Sequence, residues 1–179
     1  VAFVGKCGVD QCGELGYKWM GESNVDTTYY WLDPSIESCL GLCIIAENGE
    51  NMLLDFDNDI CGVQPDEVDR CIRKMAGARY VIAGFAQAVE SGLQACRTGK
   101  ELGMTTLLNP SPLRVGMKLE RMPYVDYLVV NEGESYELLG IDDKEDLGWE
   151  KLGRLLIEKY GCSNVVMTLG GKGSAAVTA

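Results

Sequence analysis

The segment YVDYLVVNEGESYELLG, residues 124–140, decides the fold class of this 179-residue chain. Its first half is an almost unbroken apolar run, which is typical of a β-strand buried on both faces of a parallel sheet. Its second half, ESYELLG, has the composition of a short helix, and Gly140 stands where a glycine commonly ends one. A buried strand followed at once by a helix predicts an α/β fold with a mainly parallel central sheet flanked by helices.

The rest of the chain repeats this alternation on both sides of the segment. VAFVG, residues 1–5, is predicted to be a buried strand, and further strands and helices alternate from residue 65 onwards. Residues 25–58 differ, because their strand-like runs are joined by a hairpin turn, ENGE at residues 47–50. We therefore expect an α/β core of residues 1–24 and 59–179 and a small β-rich lid of residues 25–58.

The charge of the chain excludes two classes of partner. Its formal net charge is −11, from 27 acidic and 16 basic residues, whereas a general nucleic-acid binder needs a basic face. The same surplus argues against an anionic membrane surface, and no run approaches the roughly 20 apolar residues of a membrane span. A single nucleotide remains compatible, because backbone amides and a metal ion can neutralise a few phosphates.

Eight cysteines are scattered along the chain without a C-x-x-C pair, and there is no histidine. This pattern lacks the spacing of an ordinary zinc site. It indicates reduced thiols in a cytoplasmic protein rather than a disulfide framework. Cys71 and Cys96 fall on the apolar stripes of predicted helices, where cysteine acts as a small hydrophobic residue.

Two polar residues follow the strand of the deciding segment. Asn131 and Glu134 stand three residues apart at the entry to the predicted helix, and therefore on the same side of its first turn. Such a pair could hold a hydrated magnesium ion, which prefers oxygen ligands and retains several waters. Ordinary helix capping, with Asn131 as the cap and Glu134 bonding back to it, explains the same pair and is favoured on spacing alone.

A glycine-rich stretch, TLGGKG at residues 168–173, follows the last full strand. Glycines allow the backbone to approach a bound group closely and to turn its N–H groups inward. The stretch is neither a Walker loop nor a dinucleotide-binding fingerprint, because the glycine spacing and the following helix are absent. The alternative is a tight turn that joins two strands.

A third strand end carries LLNPSP, residues 107–112, in which Asn109 could turn toward a ligand hydroxyl. A rigid structural loop explains this stretch about equally well. In open α/β sheets, ligands bind beyond the carboxyl ends of the strands. We therefore expect the three strand ends to converge on one crevice.

Taken in order, these segments resemble the ribokinase, or PfkB, family of carbohydrate kinases over essentially the whole chain. VAFVGKCGVDQCG resembles the strand and turn that follow the family's first sugar-binding segment, and GLCIIAENGENMLL resembles its lid hairpin. LLNPSP is similar to an Asn-Pro-Ala-Pro stretch, NEGESYELLG to an Asn-x-x-Glu motif, and VVMTLGGKGSAAVT to a nucleotide-binding turn. Each match is weak alone, whereas five in the right order with fitting spacings are specific.

The resemblance implies a ribokinase-like fold and an enzyme that uses ATP and Mg²⁺ to phosphorylate a hydroxyl of a sugar or nucleoside. By this correspondence, Glu134 orders the magnesium–water network, and Asn131 contacts that network and the nucleotide phosphates. The lid of residues 25–58 excludes water, and its sheet edge is a candidate homodimer contact. The nucleotide is lined, mainly by backbone, at Thr168, Leu169, Gly170, Gly171, Lys172 and Gly173.

The chain departs from the family pattern at both ends. The family's glycine-rich sugar-binding segment belongs before Val1, and its Gly-Ala-Gly-Asp segment, with the catalytic base, belongs after Ala179. No carboxylate of the chain maps onto that base, so we expect a fragment without a catalytic residue and without kinase activity of its own. Ribokinases place a sugar-contacting Glu about where Ala86 falls, next to Gln87, which puts ribose in doubt as the substrate.

Two other functions fit parts of this pattern. One is a non-catalytic relative that keeps part of the nucleotide site and senses or scaffolds. The other is a generic α/β domain whose asparagines cap helices and whose glycines form tight turns. The sequence on either side of the segment and the magnesium–ATP affinity of variants at Asn131 and Glu134 distinguish these functions.

Overall fold

The computed structural model describes residues 1–56, 62–75, 77–85, 88–113, 116–145 and 147–179. The chain divides into two compact units, Val1–Cys71 and Ile72–Ala179. Within the described ranges the strands and helices are β1 Ala2–Gly8, α1 Gln11–Glu22, β2 Asp26–Asp33, β3 Leu40–Ile45, β4 Asn51–Phe56, α2 Pro65–Lys74, β5 Tyr80–Gly84, α3 Val89–Glu101, β6 Thr105–Asn109, β7 Tyr127–Asn131, α4 Glu132–Leu139, α5 Trp149–Tyr160, β8 Asn164–Thr168 and β9 Ser174–Thr178.

Strand β1 pairs in parallel with β2 in a two-stranded sheet, with Gly5 opposite Tyr30 and Gly8 opposite Asp33. The prediction of a buried first strand is wrong for its first residues, because Phe3 is 42% exposed and burial begins only at Gly5. Helix α1 packs on this small sheet, and one short helix cannot cover both faces of two strands. Strand β2 lies in the segment assigned to the lid, and the division into core and lid stays a prediction.

Strands β3 and β4 form an antiparallel hairpin, with Leu42 opposite Leu54 and Ile44 opposite Met52. The turn is closed by a hydrogen bond from the Ala46 amide to the Glu50 carbonyl, at 2.8 Å. Gly49 adopts a φ of 86°, a left-handed conformation that glycine reaches without strain. The hairpin turn predicted at residues 47–50 is therefore confirmed.

The unit Ile72–Ala179 is built on one five-stranded sheet in the order β5-β6-β7-β8-β9. Strands β5 to β8 run parallel and β9 runs antiparallel to β8, so the predicted mainly parallel sheet is confirmed. Alternate residues along β6, β7 and β8 are fully buried on one face. Helices α3, α4 and α5 pack on the sheet, and the core centres on Leu108, Leu128, Val130, Val165 and Leu156.

The helices of this unit follow their sequence signals. Helix α5 has leucines at helical spacing and buries Leu152 and Leu156 completely. Helix α4 ends at Gly140, whose φ of 71° is the left-handed conformation of a helix C-cap. Among the helices within the described ranges, none combines the length and apolar character that crossing a bilayer requires.

Cys7, Cys12, Cys43, Cys96 and Cys162 are free thiols, and Cys61 lies outside the described residues. Cys71 and Cys96 are 5% and 0% exposed, as expected for small hydrophobic residues on helix faces. Burial raises the pKa of the Cys96 thiol to about 12, and burial likewise raises that of Cys162 to about 11. Both groups are therefore neutral at physiological pH and serve the packing of the core.

Candidate nucleotide site

The carboxyl ends of the parallel strands meet at one edge of the five-stranded sheet. Asn131, the last residue of β7, is the direct register partner of Thr168, the last residue of β8. Asn109, the last residue of β6, is likewise paired with Gly84 at the end of β5. The structure thus brings the Asn-x-x-Glu motif and the glycine turn together, at the edge where ligands of open α/β sheets bind.

Asn131 and Glu134 form a capping box at the start of α4. The Glu134 amide donates to Asn131 Oδ1 at 2.8 Å, and the Asn131 amide donates to Glu134 Oε2 at 2.9 Å. The helix capping that the spacing of Asn131 and Glu134 also allowed is therefore formed. It also fixes a carboxylate at the strand end, beside a helix N-terminus whose dipole favours bound anions.

Ser135 is a part of this arrangement that the sequence analysis missed. Its side chain is fully buried and donates from Oγ to the Asn131 carbonyl at 2.7 Å. This bond is a third hydrogen bond between Asn131 and the first turns of α4, in addition to the two of the capping box. The signal was available, because a serine four residues after a helix cap is spaced for a bond back to that carbonyl.

The stretch at residues 168–173 is a compact turn between β8 and β9. The Leu169 amide donates to the Gly173 carbonyl at 2.8 Å, and the Lys172 amide donates to the Leu169 carbonyl at 3.1 Å. The turn between strands that the sequence allowed is thus formed, and it satisfies several of its own amides. Thr168 is exposed at its start, and its Oγ1 lies 3.5 Å from the Val130 carbonyl of the neighbouring strand.

The outer surface of this turn is open. A Cβ atom added at Gly170, Gly171 or Gly173 would have no other atom within 4 Å. Gly170 and Gly173 have φ values of 56° and 94°, so their backbone conformation also disfavours larger residues. Lys172 is exposed on the same turn. A planar or anionic ligand can approach this backbone closely, and a cation stands beside it.

A magnesium ion fits the donors of this edge only if it keeps most of its water. Within the described ranges there is no group of three or more acidic, cysteine or histidine side chains that could enclose a metal. Glu134 supplies a carboxylate and Asn131 an amide oxygen, both hard oxygen donors of the kind that Mg²⁺ prefers. One or two protein oxygens plus water and phosphate are a usual magnesium environment, so the residues fit a hydrated ion.

Asn109 is exposed at the end of β6 and is followed by the buried Pro110. The next residues continue through a cis Ser111–Pro112 bond. Because β6 and β7 are parallel and end at Asn109 and Asn131, these two residues lie on the same edge of the sheet, as the predicted convergence of the strand ends requires. Ala86, where the resemblance indicates a missing sugar contact, lies outside the described residues.

The opposite end of the sheet carries a structural network instead. Asp126 precedes β7 and accepts hydrogen bonds from Lys100 and from the Thr106 amide and hydroxyl. Partial burial opposes ionisation of this carboxyl, but the Lys100 ammonium and the Thr106 donors outweigh it and lower its pKa. These bonds tie α3 and the start of β6 to the start of β7, away from the ligand edge.

The whole chain, residues 1–179, matches the model of the pfkB family carbohydrate kinases. The chain belongs to this family. It is 27% identical over 179 residues to the bifunctional ribokinase/ribose-5-phosphate isomerase A of Fructilactobacillus sanfranciscensis, covering 98% of this chain and 32% of that protein. It is 24% identical to the deoxyribokinase of Salmonella typhi, covering 99% and 58%. This chain thus spans less than two thirds of the length of these curated relatives.

Solved structures of the family share the fold. The ribokinase of Giardia lamblia matches with a TM-score of 0.77 at 21% identity, covering 99% of this chain and 56% of that one. The Arabidopsis thaliana ribokinase, complexed with ribose and ATP, matches with a TM-score of 0.70 at 20% identity, covering 99% and 57%. The ribokinase-like α/β fold predicted from the sequence is therefore confirmed.

Proposed function

We propose that the protein containing this chain transfers a phosphoryl group from ATP to a hydroxyl of a sugar or nucleoside. The observation that carries the proposal is the register pairing of Asn131 with Thr168, which joins the capped helix start and the open glycine turn. The relatives named ribokinase and deoxyribokinase, and the ribokinase solved with ribose and ATP, support the same reaction class.

Some residues of this edge are proposed to bind the nucleotide and others to hold the metal. The turn from Thr168 to Gly173 binds the nucleotide, because its glycines leave the backbone uncovered and Lys172 adds a positive charge. Asn131 faces the phosphates at the start of α4, where the helix dipole favours negative charge. Magnesium, when bound, neutralises charge on the phosphates, and Glu134 orients its water shell.

Acceptor binding is assigned to the remaining strand end and to the lid. Asn109 is proposed as a contact to the sugar, and the β3–β4 hairpin as the cover that excludes water during transfer. We assign the catalytic base to none of the carboxylates of these 179 residues. A polypeptide of these residues alone is therefore expected to bind magnesium–ATP without phosphorylating a sugar.

A second copy of the chain is proposed as the partner of the lid. The hairpin is apolar on both faces: Leu42, Ile44, Met52 and Leu54 share one, and Cys43, Ile45 and Leu53 share the other. The large side chains among them are between 40% and 71% exposed. A lid needs only one apolar face toward a ligand. We therefore assign the face of Ile45 and Leu53, which are the most exposed of these side chains at 71% and 64%, to a subunit contact and the face of Leu42 to the ligand.

The experiment separates the role of Glu134 in capping from its role at the metal. Glu134→Gln keeps a side chain that can bond back to the Asn131 amide but removes the negative charge. We expect unchanged thermal stability and a roughly 10- to 100-fold loss of magnesium-dependent ATP affinity, measured by calorimetric titration. Glu132→Gln, which makes the same charge change in the same helical turn, serves as the control and should bind normally.

Equal affinity of wild type and Glu134→Gln would remove the metal role. The transfer reaction itself is tested with the protein from its complete reading frame, given ATP, Mg²⁺ and either ribose or 2-deoxyribose as probes. Formation of a sugar phosphate supports the kinase. Tight ATP binding without phosphorylation of any sugar or nucleoside offered would favour the non-catalytic alternative.

A further inference from the structure

The connection from β2 to β3 is fastened to the loop that follows β1. The Ser38 amide donates to Asp10 Oδ2 at 2.8 Å, and the Gly8 amide donates to Ser38 Oγ at 3.0 Å. The other carboxylate oxygen of Asp10 accepts from the Gly13 amide at 2.9 Å and caps α1. One carboxylate and one hydroxyl thus link the β1–α1 loop to a residue 28 positions after Asp10 in the sequence.

The backbone at this point is packed too closely for side chains. A Cβ atom added at Gly8 would lie 2.6 Å from the Ile36 carbonyl oxygen and 2.9 Å from the Ser38 nitrogen. A Cβ atom added at Gly13 would lie 3.2 Å from Ser38 Oγ. Ile36 is itself only 9% exposed. The two glycines therefore allow the connection to seat directly on the β1–α1 loop.

The hairpin that begins two residues later contrasts with this packing. Strand β3 starts at Leu40, which is 55% exposed, and Ile45 at its end is 71% exposed. The base of the hairpin is thus anchored by specific hydrogen bonds, whereas its apolar side chains are largely exposed. The position of the hairpin within its unit depends on how firmly the base is held.

We propose that Asp10 and Ser38 are positioning residues for the lid, forming a latch that fixes the base of the β3–β4 hairpin to the β1–α1 loop. The latch determines the position of the hairpin before a substrate binds. The consequence for catalysis rests on the proposed function, since it requires the hairpin to be the cover of a sugar site. The latch itself does not depend on the proposed function, so the latch and its consequence for catalysis are tested separately.

Amide hydrogen exchange of the protein from its complete reading frame tests the latch. Asp10→Asn keeps an oxygen for the Gly13 amide and a good helix cap, but its amide group cannot also accept from Ser38. Ser38→Ala removes the acceptor of the Gly8 amide. We expect the Ser38 amide in the first variant, and the Gly8 amide in the second, to exchange about tenfold faster.

Two further variants make this result specific. Ser35→Ala removes a hydroxyl from the same connection, one that donates to Asp33 two residues away, and should leave both amides unchanged. Ser38→Thr keeps the hydroxyl and should restore the protection of Gly8. Unchanged exchange in both Asp10→Asn and Ser38→Ala, or equal effects in Ser35→Ala, would overturn the latch.

Steady-state kinetics with ribose or 2-deoxyribose test the consequence. In the Asp10→Asn, Ser38→Ala double variant we expect kcat/KM for the sugar to fall roughly tenfold or more, with the KM for ATP unchanged, because the ATP turn is untouched. Normal sugar kinetics in this variant would reduce the latch to a structural contact. If the wild type phosphorylates neither probe, the proposed function fails for these sugars while the exchange result still decides the latch.

Discussion

At the turn between β8 and β9, three glycines differ in what their backbone requires. Gly170 and Gly173 have positive φ values of 56° and 94°, whereas Gly171 lies outside the left-handed region and has open space around its Cβ position. A substitution at Gly171 therefore tests ligand approach without backbone strain. Substitutions at the other two glycines test the strain itself.

We predict that Gly170→Ala and Gly173→Ala each destabilise the protein by roughly 1–3 kcal/mol, because the new Cβ disfavours a positive φ. Gly171→Ala should change stability by less than about 0.5 kcal/mol but weaken ATP binding, since a methyl group now stands on the open surface. Urea unfolding and ATP titration measure the two effects. ATP affinity that survives Gly171→Ala unchanged would argue against nucleotide binding at the turn.

The lowered pKa of Asp126 predicts an acid-sensitive contribution to stability. A carboxyl whose pKa is lower in the folded state stabilises the fold above its ordinary pKa of 3.8, and that contribution is lost as pH falls through the folded value. Asp126→Asn should cost about 1–3 kcal/mol at neutral pH and make stability less dependent on pH below about 4. Asp66→Asn, which breaks an exposed ion pair with Arg70, is the control and should change stability little.

Among the elements, α5 and β9 pack at a distance that only glycine permits. A Cβ atom added at Gly153 of α5 would lie 2.6 Å from Val177 Cγ2 of β9, and Val177 is 5% exposed. This contact presses the helix onto the last strand opposite Val165, near the start of β8 and away from the glycine turn. The distance between α5 and β9 is therefore set by one pair of residues.

We predict that Gly153→Ala destabilises the protein by about 1–3 kcal/mol through overpacking and that adding Val177→Ala relieves part of that loss. Gly21→Ala, in the open surface of α1, makes the same change in a helix and should be neutral or stabilising by up to about 1 kcal/mol. Thermal unfolding shows whether each variant is more or less stable than the wild type. Similar effects of the two substitutions would mean that the α5–β9 contact is looser than described.

At the scale of the whole molecule, the two apolar faces of the hairpin predict an assembly. Ile45→Glu or Leu53→Glu should convert a dimer into a monomer, because a buried unpaired charge is costly in a subunit contact. Leu42→Glu, on the other face, should leave the dimer intact and weaken sugar binding. Light scattering during gel filtration reports the mass, and Glu47→Lys at the hairpin turn controls for charge alone. A wild type that is monomeric at micromolar concentration would contradict the assembly.

The sequence predicted the parts of this protein that depend on neighbours along the chain. The capping of α4 by Asn131 and its end at Gly140, the hairpin turn around Gly49 and the mainly parallel strands all followed from local spacing and apolar runs. These features are set within one turn of helix or a few residues of strand. For the same reason the sequence misjudged β1, whose burial depends on what lies on either side of it.

Register and long-range packing were decided by the tertiary structure alone. No spacing in the sequence makes Asn131 the partner of Thr168, pairs β1 with β2, or brings Ser38 to Asp10. The sequence by itself determined an α/β chain of the carbohydrate-kinase type with a glycine turn and an amide–acid pair. The sequence predicted that the turn and the pair lie at the same end of the sheet, but only folding makes them register partners, because strand order and register are chosen by the packing of the whole sheet on its helices.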